Sequence, residues 1–170
     1  MVCTDIERRK MDVDAELIDV TEKAFNFWLH EAYPLWYGKS REEVLNAVND
    51  DDKRDKIMRY TDQDVFRVWY LGAGIYKDKC HGKLTLKTSS YSFIRDLLES
   101  SARKFVEEAI KKQLVKVEVP LGSNKRHLIL TEKFESIIKN QLDRWHNLYM
   151  PVSDKFKPIS KYFPMPSDPK

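Results

Sequence analysis

Residues 92–134, SFIRDLLESSARKFVEEAIKKQLVKVEVPLGSNKRHLILTEKF, decide how this chain is read. Ala102, Phe105, Val106, Ala109 and Ile110 recur at three- and four-residue steps, the period of a helix with one buried face. Ser101 is expected to cap that helix, after a two-residue break at Glu99-Ser100. VKVEV (115–119) and RHLIL (126–130) then alternate as strands do, and PLGSNK (120–125) between them supplies Pro120 and Gly122 for a long hairpin loop. Upstream, KLTLK (83–87) alternates as a short strand, and Thr88, Ser89 and Ser90 offer caps for a helix through Tyr91, Ile94, Leu97 and Leu98. Downstream, Thr131 is expected to cap a final helix striped by Phe134, Ile137, Ile138, Leu142, Trp145, Leu148 and Tyr149.

Further out, the chain remains helical in pattern. Leu17, Ile18, Thr21, Ala24, Phe25, Trp28, Leu29 and Ala32 line one broad face over 14–32, and Pro34 and Gly38 are expected to interrupt it. Ser40 with Glu43 forms a capping box for a short helix, SREEVLNAV. Asp50-Asp51-Asp52 is expected to cap a further turn through Arg59, and Thr61 with Asp64 marks another start. That start introduces DVFRVWYLGAGIYK (64–77), read as a buried helix despite Gly72 and Gly74, with a strand as its competitor. From Met150 the composition switches to a proline-rich tail without periodicity.

Composition narrows the class. With 170 residues, one compact unit or a small domain with attachments is expected. Five glycines and seven prolines are too few turn formers for a many-stranded sandwich or barrel. No run of eighteen apolar residues is present to span a bilayer, and MVCTDIERRKMDVDAEL lacks the apolar stretch of a signal peptide. Cys3 and Cys80 make no disulfide framework, so a cytoplasmic home is expected. Residues 1–82 carry 13 basic and 17 acidic side chains, a balance of −4, whereas residues 83–127 carry 10 and 5, a balance of +5. A basic segment inside a nearly neutral chain is a candidate footprint for nucleic acid.

Strand, helix, tight turn, helix, hairpin, helix is the order of a winged helix-turn-helix. The expected fold is therefore mainly α with a small β-hairpin wing (α+β), the winged core flanked by dimerisation helices. In that arrangement the first helix of the pair braces the second, which enters the major groove, while the hairpin reaches sideways to the backbone. The boundaries expected are 1–82 for an N-terminal helical support and dimerisation region, 83–131 for the DNA-binding core, 132–149 for a C-terminal dimerisation helix and 150–170 for the tail.

The same stretch resembles the core of MarR-type winged-helix regulators over roughly residues 88–147. IKKQLVKVEV matches the step from recognition helix into wing strand, and KRHLILTEKF matches the wing arginine followed by a strand closing on Leu-Thr. It departs from that pattern at Asn124 and Phe134, where an acidic residue and a glycine are usual. The resemblance implies a homodimer that regulates transcription from a near-palindromic duplex site, with Arg126 as the wing contact. It also implies a small aromatic effector as a partner class, although the aromatic run from Phe25 to Tyr37 by itself reads as core and dimer seam.

Read from the residues, DNA contact falls on Ser101, Arg103 and Lys104 at the start of the helix, with Lys111 and Lys112 peripheral. Lys125, Arg126 and His127 supply the wing, and Lys87 with Lys83 adds to the same surface. Arg103 and Lys104 in a first turn would oppose the helix dipole, a small cost that polyanion contact would offset. Glu107 with Lys111 and Glu108 with Lys112 are spaced as ion pairs, and those glutamates count against phosphate contact in mid-helix. No metal site, cofactor or enzyme is expected: Cys80-His81 lacks further ligands at zinc spacing, and Gly72-Ala73-Gly74 lacks the third glycine of a dinucleotide fingerprint. Cys80 beside Lys77 and Lys79 is the one candidate redox thiol. The alternative is a winged-helix adaptor that binds protein without reading DNA sequence, which the acidic first half and the tail would suit.

Overall fold

The structure, a computed structural model, describes residues 5–153. Their order is α1 (Asp5–Tyr37), α2 (Arg41–Asn46), α3 (Asp51–Cys80), β1 (Thr85–Leu86), a one-turn α4 (Lys87–Ser90) and a 3-10 turn (Tyr91–Phe93). Then come α5 (Glu99–Lys111), β2 (Val115–Glu118), β3 (His127–Leu130) and α6 (Glu132–Ser153). The described chain is mainly helical with a small antiparallel sheet, an α+β composition. Most of the segment assigned to the tail lies outside the described residues; α6 itself runs to Ser153.

Two compact units divide the chain. One comprises α1 up to Trp28 with α6 from Lys139; the other runs from Leu29 to Ile138. The boundary expected at 82/83 therefore falls inside a unit, because α3 packs on β1, β3, α4 and the 3-10 turn.

In the larger unit the sheet has the order β1-β3-β2, with Thr85 opposite Leu128 and Val115 opposite Leu130. Val115, Leu128 and Leu130 are buried, as are Ile94, Val106, Phe134, Val65 and Val68, and together they make up much of the core of this unit. The buried-helix reading of 64–77 holds, and the two glycines that argued against it have a packing reason. A Cβ on Gly72 would stand 2.5 Å from Phe134 Cζ and 2.7 Å from Ile138 Cδ1; one on Gly74 would stand 2.5 Å from Phe93 Cδ2. Each glycine thus trades helix propensity for close approach of a large neighbour.

Several expected boundaries need correction. Pro34 does not interrupt α1, which continues to Tyr37. Its lost N–H and ring clash cost about 3 kcal/mol, but buried Tyr33 and Trp36 anchor the turn on either side. Gly38, at φ +70, is where the helix ends, its N–H donating to Pro34 O at 3.0 Å. Asp50 caps α3 by accepting from Asp52 N, as the acidic run predicts, but α3 then passes straight through Thr61. Thr61 starts nothing because its hydroxyl donates back to Ile57 O at 2.9 Å and meets Tyr33 Oη at 2.6 Å. The Ser40 box forms in its first half, Glu43 N donating to Ser40 Oγ at 3.1 Å, while the Ser40 hydroxyl meets the Glu43 carboxylate instead of freeing it for the cap amide. Thr131 stands at the N-cap position of α6, its C=O accepting from Glu135 N at 2.9 Å, while its hydroxyl donates to Leu114 O at 3.0 Å and closes the strand pair.

The helix expected from Thr88 through Leu98 is the largest error. Only α4 and a 3-10 turn form, because Ser90 and Ser92 return their hydroxyls to Lys87 O and Ser89 O at 2.5 and 2.7 Å, and Ile94 leaves the helical region to enter the core.

The smaller unit pairs two helical segments through Val20, Ala24, Trp28, Leu142 and Trp145. Buried Gln141 donates to Ala24 O at 2.9 Å, and the Arg144 guanidinium lies 3.9 Å from the Phe27 ring centre.

A polar bridge fixes the end of α1 to α3. Tyr33 donates to Asp62 at 2.5 Å, Arg41 grips the same carboxylate with two bonds of 3.0 Å, and Tyr37 donates to Asp64 at 2.8 Å. Burial, then the bond to Asp62, pushes Tyr33 up to about 12; burial and Asp64 raise Tyr37 as well. A raised folded-state value leaves the stabilisation intact below the usual tyrosine range near 10 and removes it as pH climbs toward 12. Urea-unfolding midpoints should stay level up to about pH 9 and then fall. Tyr33→Phe should flatten that fall; an unchanged alkaline slope in the variant would contradict the assignment.

Candidate nucleic-acid interface

The candidate surface is built on α5. Its buried face is Ala102, Phe105, Val106 and Ala109, and Trp36 stacks on Phe105 with ring centres 4.5 Å apart. Leu98, not Ser101, is the N-cap, and it offers no side-chain hydrogen bond. Ser101 is consequently the third helical residue, exposed on the outer face. This earlier start also moves Arg103 and Lys104 into the second turn, both exposed, and leaves Glu99 in the first, where a carboxylate suits the dipole. The dipole cost expected for those cations therefore disappears. At the far end Lys111 is exposed, and Lys112 sets its ammonium 5.1 Å from the Trp36 ring centre. Gln113 takes a positive φ of 60° so that Leu114 N can donate to Ala109 O at 3.0 Å, reversing the chain into β2.

The hairpin loop is ordered by its own backbone. Ser123 N donates to Pro120 O at 3.1 Å, Lys125 N donates to Ser123 Oγ at 3.1 Å, and Gly122 sits at φ +80. Lys125 and Arg126 are exposed beyond it, and Leu121 stands fully in solvent at the turn. His127 differs from its expected role: half-buried on β3 between Leu86 and Glu118, it has a buried Nδ1 without a hydrogen-bond partner.

Helix and hairpin meet at Lys87. Its backbone N–H donates to Arg126 O at 3.0 Å, and its ammonium, with the side chain only 13% exposed, donates to the Glu107 carboxylate. Lys87 rather than Lys111 is thus the partner of Glu107, because a cation at the start of α4 with a buried stem outcompetes a flexible neighbour one turn on. Lys112 does sit near Glu108, loosely, at 3.7 Å. The bond from Lys87 holds the Glu107 carboxyl below the usual range, and the charges of Arg126 and Arg103 act in the same direction. Lys87 therefore links the Glu107 carboxylate on α5 to the backbone of Arg126 at the hairpin root.

One participant was missed. Arg67 on α3 is 17% exposed, donates to Asp64 at 2.7 Å and reaches Asp96 with Nε and Nη2 at 2.9 and 2.8 Å. Asp96 lies in the link that leads into α5, so Arg67 fixes where that helix begins. The Asp64/Arg67 spacing was visible in the sequence; the distant partner was not.

Among the described residues no cluster of three or more His, Cys, Asp or Glu is placed to hold a metal, and no helix is long and apolar enough to cross a membrane. Cys80 is exposed at the last position of α3. Comparison with known proteins finds no matching family model, no matching curated protein and no matching solved structure.

Proposed function

We propose that this chain is a MarR-like winged helix-turn-helix regulator that binds double-stranded DNA as a homodimer at a near-palindromic site. The observation that carries the reading is a single arrangement: β1, α4, α5, β2 and β3 in sheet order β1-β3-β2, with exposed cations on α5 and at the hairpin root meeting at Lys87. In this reading α5 lies in the major groove, with Ser101, Arg103 and Lys104 toward the duplex and Lys111 at its margin. Lys125 and Arg126 meet the backbone beside it. Lys87 and His127 serve the surface from beneath. The smaller unit, two paired helical segments, is the part best suited to join two protomers and set half-site spacing near one helical turn, about 34 Å. No catalytic step or cofactor enters this reading.

Arg103→Ala and Arg126→Ala are expected to weaken duplex binding about tenfold each, measured by fluorescence anisotropy at fixed salt. Variants that bind as tightly as the parent would refute the interface.

One observation favours the adaptor reading. β2 is one of the two sheet edges, and Val117 on it with Val119 and Leu121 just beyond it exposes apolar surface, which suits addition of a partner strand. A monomer by sedimentation, together with no duplex binding, would favour it.

A further inference from the structure

We infer that Glu107 is a specificity-determining residue, reading the exocyclic amine of a cytosine from the outer face of α5. The inference rests on the DNA-binding reading above. Glu107 sits one turn beyond Arg103 on the exposed side of α5, in the row that continues to Lys111. A carboxylate accepts hydrogen bonds and donates none, so phosphate oxygens repel it. Cytosine N4 and adenine N6 are the amines in the major groove, and a carboxylate takes cytosine N4 because adenine sets the acceptor N7 beside its amine. A carboxylate facing a duplex would normally weaken all binding. Here Lys87 holds it from the start of α4 with a buried stem, while Arg126 is tied to Lys87 through the backbone. The local balance remains cationic, and the second oxygen of Glu107 is left to select a base.

Selection of a random-sequence duplex library with the full chain tests this. The parent should enrich a motif with a C·G pair at one fixed position in each half-site. Glu107→Ala should lose about tenfold discrimination at that position and leave the others unchanged. Glu107→Gln, which keeps a partner for Lys87, should shift the position toward adenine, since an amide pairs with adenine N6 and N7. If both variants enrich the parental motif, Glu107 reads nothing. If Glu107→Ala changes affinity equally at every position, it is only a counter-ion for Lys87, and the inference likewise falls. If the parent enriches no motif at all, the DNA-binding reading fails first and the inference with it.

Discussion

Phe134→Ala is expected to lower the unfolding free energy by about 3–5 kcal/mol, the range for truncating a fully buried aromatic. Phe134 is 1% exposed at the start of α6, with its ring tip where a Gly72 side chain would begin. Removing the ring leaves a void between α3 and α6 that Gly72 has no atoms to fill and that Ile138, itself fully buried, fills only by leaving its own contacts. Equilibrium urea unfolding should show a lower midpoint with an unchanged slope. A loss below about 1 kcal/mol would mean that the close approach at Gly72 is not a packed contact.

Arg67→Ala is expected to cost about 1–3 kcal/mol, less than a fully buried ion pair would, because Asp64 and Asp96 can rehydrate once the guanidinium is gone. Their side chains are 33% and 49% exposed, which sets that discount. Arg67→Lys should recover only part of the loss, since one ammonium cannot reproduce the fork that reaches both carboxylates. Thermal unfolding of both variants checks the stability. Duplex affinity of Arg67→Lys checks whether the start of α5 has shifted: the account expects weaker binding even where the variant is fully folded. An alanine variant as stable as the parent would show that the Asp96 bond contributes nothing.

Periodicity made α5, the hairpin and the stripe of α6 legible: the two helices each bury one regular face, β3 buries Leu128 and Leu130, and β2, which buries only Val115, is marked by its alternation and its turn residues. Local start and stop signals were less reliable wherever tertiary bonds override them. Thr61, Thr131 and Ser90 all look like side-chain caps, yet each hydroxyl goes to a carbonyl already behind it or across the chain. Pro34 reads as a breaker because nothing local reveals that Asp62 and Asp64, nearly thirty residues on, hold the tyrosines around it. The candidate surface was legible as a set of exposed cations but not as a geometry. The Lys87–Glu107 pair spans twenty residues and Arg67–Asp96 spans twenty-nine, so neither follows from helical spacing.

The proposed duplex surface needs α5 and the hairpin root to act together. Anisotropy titration of the parent protein against a labelled duplex, repeated from about 50 to 200 mM salt, tests it directly. Two protomers each setting two or three cations on phosphates should give a log–log slope of about −4 or steeper. Absent binding, or an affinity indifferent to salt over that range, would contradict the claim.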